Sequence, residues 1–559
     1  MAAVEPGGGM RTGTHAEDAD DLVRRLEELN QIGVALSREA DLARLLESIL
    51  VAAKQITNAD GGTLYRRHDP DDDLVHFEIL RTDSLGIALG GTTGVPVPFE
   101  AIRLHDDRGA PNTAMVVAYA ILNDCTVNIA DAYTAEGFDF SGTKAFDQRT
   151  GYRSKSFLTV PMKDHENEII GVLQLINAKE PLTGEIVPFS AADQRLAESL
   201  ASQAAVALTN RLLILQLENL FESFINLINE AIDDKSPYTG GHCKRVPSLT
   251  MLLAEAVHRT TVGPLADWTM TDRDRYELKI AGLLHDCGKI TTPVHVVDKA
   301  TKLQTIYDRI DLIDTRFEVV KRDAELEMLR ALGAAQASAG VDVAALERAH
   351  RERLREIDAD RAFLRECNIG VEAMPPEHQE RVRRIARKYR WRDPHGEERA
   401  FLTDDEIENL TIRSGTLTAR EREIINHHIE VTIRMLEALP WPKHLKNVPE
   451  YAGGHHERMD GRGYPRGLTR EQMSVQARIM GIADIFEALT ARDRPYKRGK
   501  TLTESLHILG KFRLNGHIDP DLFDIFVRER VFLRYAEQFL DPEQIDDVDV
   551  SRIPGYTGD

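Results

Sequence analysis

The chain has 559 residues, a formal net charge of −21 and only 6% aromatic residues, too long for one hydrophobic core and divisible into three or four units at roughly 150 residues each. Such an acidic surface repels polymeric nucleic acid and anionic membranes, so neither is an expected partner, and a small phosphorylated substrate would need cations gathered locally. Four scattered cysteines (Cys125, Cys243, Cys287, Cys367) make no disulfide framework. With no signal-peptide core at the start and no run of about 18 apolar residues, the chain is expected to be soluble and cytoplasmic.

Residues 1–19, rich in Gly, Asp and Ala, are expected to be disordered. Residues 20–57 have helical periodicity, with Leu42, Leu45, Leu46, Ile49 and Leu50 on one face. Short strand-like runs follow: GGTLYRR, LVHFEILR, SFLTVPMKD and EIIGVLQLINA. The last two form a hairpin about His165-Glu166-Asn167. The prediction for 20–185 is an α+β sandwich without a catalytic constellation.

This region resembles a GAF domain, especially the cyclic-nucleotide-binding kind. The likeness rests on Asn128-Ile129-Ala130-Asp131-Ala132-Tyr133, on the stretch from Phe146 to Ser154, and on Val160-Pro161-Met162 and Gly171 to Asn177. Asn177, Phe189 and Asp193 match positions often found in nucleotide-competent members, whereas Ala178 and Gln194 replace a Lys and a Glu. The resemblance implies a sensor that takes a cyclic nucleotide, or a GAF domain used only for dimerisation.

From 186 to 232 the residues are good helix formers, and no Pro or Gly occurs between Ala191 and Ile232. Leu196, Leu200, Gln203, Ala207, Asn210, Ile214, Leu217, Phe221, Phe224 and Ile228 alternate at four and three steps, a heptad seam that predicts a parallel coiled coil and a homodimer. The alternative is a single amphipathic helix packed on its own domains.

The 233–540 region carries the chemistry. His242 opens a helix, and the helix before His285-Asp286-Cys287-Gly288-Lys289 stops at an adjacent imidazole and carboxylate, which can meet one cation. Lys289 offers a point charge for a phosphate oxygen. His427 and His428 sit about 100° apart on a helix, so one of the two should face the site. His455 and His456 end an element and run into Gly461 and Gly463. Asp484 lies mid-way along an apolar helix, where a charge without a partner would cost several kcal/mol. Five imidazoles and two carboxylates suit two first-row divalent ions, iron or manganese, able to activate a water against a phosphodiester.

The motifs LHDCGK (284–289), HHERMDGRGYP (455–465), YTGGH (238–242), His428-Ile429-Glu430 and DIFEALT (484–490) are similar, in order and content, to those of the HD-GYP family of HD phosphohydrolases. That resemblance selects His428 over His427. It implies an all-α bundle, metal ligation by His242, His285, Asp286, His428, His455, His456 and Asp484, and Asp286 as a bridging ligand. It also implies substrate contacts from Lys289, Tyr464, Arg494 and Lys497, and hydrolysis of cyclic di-GMP to the linear dinucleotide and in some cases on to GMP. Tyr238 stands where some members have a third-metal Glu, so two ions are expected. Another cyclic nucleotide as substrate, or an adaptor acting by protein contacts, are the alternatives. Asp286 and His428 stand 142 positions apart, against about thirty in typical members, which places a helical insertion at about 302–414. It comprises a seam from Ile306 to Ala324, a second helix over 346–363, and a third, basic helix with Arg381, Arg383, Arg384, Arg387 and Lys388. Residues 541–559 are expected to form a C-terminal tail.

Overall fold

The computed structural model describes residues 14–69, 72–235, 241–336, 342–491 and 499–558, with backbone alone for 14–23 and 335–336. They form two compact units, Met1–Leu220 and Phe221–Asp559.

In the first unit α1 (Thr14–Arg38) and α2 (Leu42–Ile56) precede the strands, so helix already covers 14–19 of the stretch expected to be disordered. The strands are β1 (Ala59–Arg66), β2 (Leu74–Thr82), β3 (Ile87–Gly90), β4 (Ile102–Arg103), β5 (Val127–Ile129), β6 (Phe157–Lys163), β7 (Ile169–Lys179) and β8 (Ile186–Val187). Helices α3 (Val116–Leu122) and α4 (Ser141–Thr150) interrupt them, and α5 (Ala191–Lys235) follows. The sheet runs β3-β2-β1-β7-β6-β5, with β4 on β2 and β8 on β7. The expected hairpin is β6–β7, with Val160 opposite Leu173. Its turn is fixed by the Asp164 carboxylate, which accepts from the amides of Glu166 and Glu168, and by left-handed Asn167 at φ 65°.

One face of the sheet buries Leu64, Ile79, Leu158 and Leu173 against the apolar stripes of α2 (Leu45, Ile49, Leu50) and α5 (Leu196, Leu200, Ala204, Leu208). The other face packs Tyr65, Val75 and Val172 on α3. This is the α+β sandwich expected of a GAF domain. Truncating any of the fully buried leucines to Ala would cost about 2–5 kcal/mol.

The α5 seam differs from expectation. Leu196 and Leu200 belong to the sandwich core, and Phe221 packs edge-on to Trp441 in the second unit's core. The large exposed apolar residues of α5 are Val206, Leu213, Ile214, Leu217, Leu220, Phe224, Leu227 and Ile228, each 38–65% exposed, so Ile214, Leu217, Phe224 and Ile228 of the expected seam are uncovered and its earlier apolar positions are not. The heptad register is therefore set by what two separate cores leave uncovered. By length and composition α5 could also cross a bilayer, although 33% of its most apolar window is buried.

Among its described residues the second unit is helical apart from one small hairpin of strands. Its bundle consists of α6 (His242–Arg259) and α7 (Asp272–Leu284), followed by the short α8 (Val294–Val297). The insertion then supplies α9 (Ile310–Gln336), α10 (Val343–Asn368), α11 (Pro376–Lys388), the hairpin of β9 (Arg390–Arg392) and β10 (Glu398–Ala400), and α12 (Asp404–Leu410). The bundle resumes with α13 (Ala419–Glu437), α14 (Val448–Gly453), α15 (Val475–Thr490), α16 (Leu502–Leu514), α17 (Pro520–Arg528) and α18 (Val531–Phe539). Thr271–Asp274 and Thr418–Glu421 capping boxes start α7 and α13, each satisfying two otherwise orphaned amides.

The insertion has its own core, including Ile313, Phe317, Val320, Ile357, Leu364, Val382 and Phe401, and a buried two-pronged Arg316–Glu406 pair at 2.7 and 3.0 Å. Ile306 is outside the predicted seam: it is 95% exposed, and α9 starts at Ile310. The basic face of α11 is tied into surface ion pairs, Arg381 and Lys388 to Asp360 and Arg387 to Glu380. Both ends of the insertion meet, since the Thr416 hydroxyl donates to Lys299 O at 2.8 Å and the Lys299 ammonium reaches Glu421 and Asn409. The segment expected to be a C-terminal tail packs back onto the bundle. Ile553 is buried there, and the Gln544 amide donates to Thr490 O.

Candidate metal centre and substrate cavity

Every predicted ligand comes from the end of an element or from a helix face turned inward. His242 is the first residue of α6, His285 caps α7, and Asp286 begins the 3-10 turn after it. His428 faces inward from α13, whereas its neighbour His427 is on the surface, paired with Glu430. His455 and His456 follow α14, and Asp484 projects from α15.

The chain closes around these residues through glycine. Gly288 N donates to the Thr432 hydroxyl at 2.9 Å, and a Cβ at Gly288 would stand 2.0 Å from His428 O. Only a glycine lets α13 lie on the turn that holds Asp286. Gly463 serves similarly, because its Cβ would fall 2.4 Å from Glu457 Cα. Glu457 is buried and accepts from the amides of Arg466 and Leu468, so the loop folds back and lays Tyr464 over His456, with ring centroids 4.9 Å apart.

Two groups of ligand atoms result: His242, His285 and Asp286, and His428, His455 and His456. His285 Nε2 lies 3.3 Å from His242 Nε2, and His456 Nε2 lies 3.3 Å from His428 Nε2. Two imidazole lone pairs at that separation repel unless a proton or cation lies between them. Metal–nitrogen bonds of about 2.1 Å give an edge of roughly 3.0–3.4 Å between adjacent ligands. Asp286 spans the groups: one oxygen is 3.1 Å from His242 Nε2 and the other 3.2 Å from His428 Nε2. Asp484 Oδ1 stands 3.4 Å from His242 Nε2. Among the described residues His455 Nε2 and Asp286 Oδ1 are buried without a hydrogen-bond partner, a costly arrangement unless something else binds them. The donor set therefore fits divalent metal ions.

The electrostatics agree. Burial lowers the pKa of His285 and His455 and brings His456 to about 4, so these rings are neutral lone-pair donors at neutral pH. Burial opposes ionisation of Asp286 and Asp484, but Lys289 and the histidines around them keep both carboxyls well below the ordinary range. Lys289 is likewise held charged against burial by Asp286, whose Oδ2 is 2.5 Å from its Nζ.

A cavity of about 460 Å³ opens from the second ligand group. Tyr464, His456 and Asp484 line it as expected, together with an apolar wall of Ile485, Ala488 and Leu489. Arg462, Lys500 and His517 also line it; the sequence patterns had not indicated them. The Lys500 ammonium pairs at 3.3 Å with Glu372 of the insertion, which brings the insertion to the cavity rim. Arg494, Lys497 and Tyr238 lie outside the described residues.

Sequence reasoning also missed Glu487, one turn beyond Asp484 on α15. It is buried and holds His242 Nδ1 at 2.5 Å and Arg245 Nε at 2.7 Å. An acid in an otherwise apolar helix, three residues after a predicted ligand, was the available signal.

The first unit has a cavity of about 670 Å³ lined by Tyr65, Phe77, Phe99, Phe157, Gln174, Arg103 and Arg149 among others. Of the residues that carry the GAF likeness, Phe146, Arg149, Tyr152, Ser154, Gln174 and Ile176 line it, whereas Asn177, Phe189 and Asp193 do structural work outside it. Asn177 is buried, accepts from the amides of Lys155 and Ser156 and donates to Arg153 O. Phe189 lies in the core, and Asp193 binds Ser190 and Arg25.

Comparison with known proteins gives matching assignments. A GAF domain family model matches residues 41–208, and two HD domain models match 239–386 and 379–522. Among curated proteins, a cyclic di-GMP phosphodiesterase of Pseudomonas aeruginosa is 38% identical over 116 residues, 21% of this chain and 27% of the relative. A 3'3'-cGAMP-specific phosphodiesterase of Vibrio cholerae is 46% identical over 81 residues, 14% of this chain and 19% of the relative. A cyclic di-GMP phosphodiesterase of Thermotoga maritima is 34% identical over 122 residues, 22% of this chain and 32% of the relative. The chain thus spans less than a third of the length of each of these three relatives.

Proposed function

We propose that this chain, in which a GAF domain is followed by an HD domain, is a metal-dependent phosphodiesterase that opens cyclic di-GMP to the linear dinucleotide, and in part carries it to GMP, under control of its GAF domain. The observation that carries the reading is the buried pair of ligand groups joined by Asp286, with His455 Nε2 and Asp286 Oδ1 left without a hydrogen bond among the described residues. Two divalent ions held by His242, His285, Asp286, His428, His455, His456 and Asp484 would polarise a phosphoryl oxygen and acidify a water. Iron and manganese suit this mixed imidazole and carboxylate set.

The chain's own residues do the rest. Lys289, charged and beside Asp286, offsets a phosphate's negative charge next to the metal ligands. Tyr464, rigidly stacked on His456, and the apolar Ile485–Leu489 wall form a slot for a planar base. Arg462 and Lys500 supply positive charge on the rim of an otherwise acidic protein, and the family resemblance assigns substrate contacts to Arg494 and Lys497 as well. A second reading, a mixed-purine cyclic dinucleotide as substrate, is favoured by the likeness to the Vibrio cholerae cGAMP-specific relative. The aromatic GAF cavity, within the usual size range for small-molecule sites, is assigned to a regulatory cyclic nucleotide. The apolar stripe of α5 is assigned to a second copy, giving a cytoplasmic homodimer.

The test is anaerobic turnover by full-length protein reconstituted with Fe²⁺ or Mn²⁺, against cyclic di-GMP, 3'3'-cGAMP, cyclic AMP and cyclic GMP. Cyclic di-GMP is expected to be opened fastest, with Asp286→Ala inactive. Metal-loaded protein that turns over none of these substrates would refute the enzymatic reading. Faster cleavage of cGAMP would establish the second reading.

A further inference from the structure

Three of the ligand imidazoles are oriented in the same way. His285 donates Nδ1–H to Gly282 O at 2.7 Å, His428 to Ile425 O at 2.5 Å and His455 to Ala452 O at 2.6 Å. In each case the carbonyl belongs to the residue three positions earlier. A carbonyl can only accept, so the hydrogen sits on Nδ1 and Nε2 keeps its lone pair toward the centre. His242 is placed differently, as the first residue of α6 after left-handed Gly241 at φ 86°. Its Nδ1 is held instead by a carboxylate from a distant helix, Glu487 Oε2 at 2.5 Å. The other Glu487 oxygen takes the Arg245 guanidinium at 2.7 Å, one turn along α6, so the carboxylate is clamped between two residues of the helix it orients. Glu487 is 1% exposed, and its charge has no other reason to be inside an apolar helix.

We propose that Glu487 is a positioning residue that makes the two halves of the metal centre unequal. The inference rests on the metal centre proposed above. A carboxylate accepting from Nδ1–H pushes more electron density onto Nε2 than a peptide carbonyl does, and fixes the ring more firmly. The half containing His242, His285 and Asp286 therefore binds its ion more tightly than the half containing His428, His455 and His456, where the backing of His428 and His455 is by carbonyls. The sites load in sequence. The first ion is a resident, and the second is the one whose supply sets how much enzyme is active.

The experiment is a calorimetric titration of Mn²⁺ into chelator-stripped, full-length protein, with the melting temperature of the stripped protein measured alongside. Wild type is expected to show two classes of site. Glu487→Gln keeps the shape and loses the charge, and should weaken the tight class by about ten- to a hundredfold while leaving the weak class in place. Glu487→Asp, which keeps the charge, should recover most of the tight class. A single class of site in wild type would overturn the inference. So would a Glu487→Gln protein that melts earlier but binds Mn²⁺ as wild type does, which would make Glu487 a packing residue only. No Mn²⁺ binding by wild type would remove the metal centre itself. Failure to hydrolyse any cyclic dinucleotide would leave this result standing, because the readout is metal binding.

Discussion

The cavity of the GAF domain and the one at the ligand groups of the HD domain are built on opposite rules. Around the GAF cavity, no buried side-chain polar atom among the described lining residues lacks a partner: Gln174 lies between the Tyr65 hydroxyl and Thr159, and Ser154 is bound to Asp147. The HD centre leaves His455 Nε2 and Asp286 Oδ1 without hydrogen bonds and sets imidazole nitrogens against each other. A pocket that only binds can satisfy its own walls and recognise a guest by shape and a few rim charges. A centre that holds cations must keep lone pairs free, and the surrounding bundle has to be stable enough to bear that.

The largest effect expected from this contrast comes from a methyl group. Gly288→Ala drives a Cβ into His428 O and separates Asp286 from α13. Turnover should fall at least about a thousandfold, with the bound metal lost in elemental analysis; near-normal turnover would mean that the Asp286–His428 approach is dispensable. His455→Ala comes next. By removing a ligand with no structural hydrogen bond at Nε2, it should abolish binding in one half of the centre while the metal-free protein melts within a few degrees of wild type. In the first unit, Asn177→Ala should do the reverse. Leaving the amides of Lys155 and Ser156 unpaired should cost about 1–3 kcal/mol, seen as an earlier GAF transition in calorimetry, with basal hydrolysis preserved. The smallest effect is assigned to Lys500→Ala, a rise of several-fold in KM at unchanged kcat, since one rim charge is worth about 1 kcal/mol. A fall in kcat instead would place Lys500 nearer the chemistry.

How much of this was legible in the sequence follows from what fixes each residue. The proposed metal ligation restricts residue type so severely that His285, Asp286, His455 and Asp484 stood out against their surroundings. The β6–β7 hairpin was marked by strong apolar strands on either side of a polar turn. Lys500 and His517 come from separate segments and share only the cavity they line, a coincidence of tertiary structure that no local pattern records, and Arg462 stood inside a quoted motif without being assigned a role. The β9–β10 hairpin escaped because its three-residue strands are almost wholly exposed and have no alternation to detect. The α5 seam was misread at Leu196, Leu200 and Phe221 because a single helix contributes to two cores, and each removes different positions from the apparent seam.

The meeting of Lys299 with Thr416 bears on how the protein reaches its folded state. Joining Asp286 to His428 across 142 positions of loose chain would carry a loop-closure penalty of about 4 kcal/mol. The intervening helices have a core of their own and return the chain to its starting point, so the rest of the protein meets a ready-made clasp instead of a long tether. If that piece folds first, the search for the late half of the centre shortens to a local one, and refolding should be limited by the insertion and not by the metal ligands. Replacing 300–415 by a short Gly-Ser link would then leave a bundle that still closes.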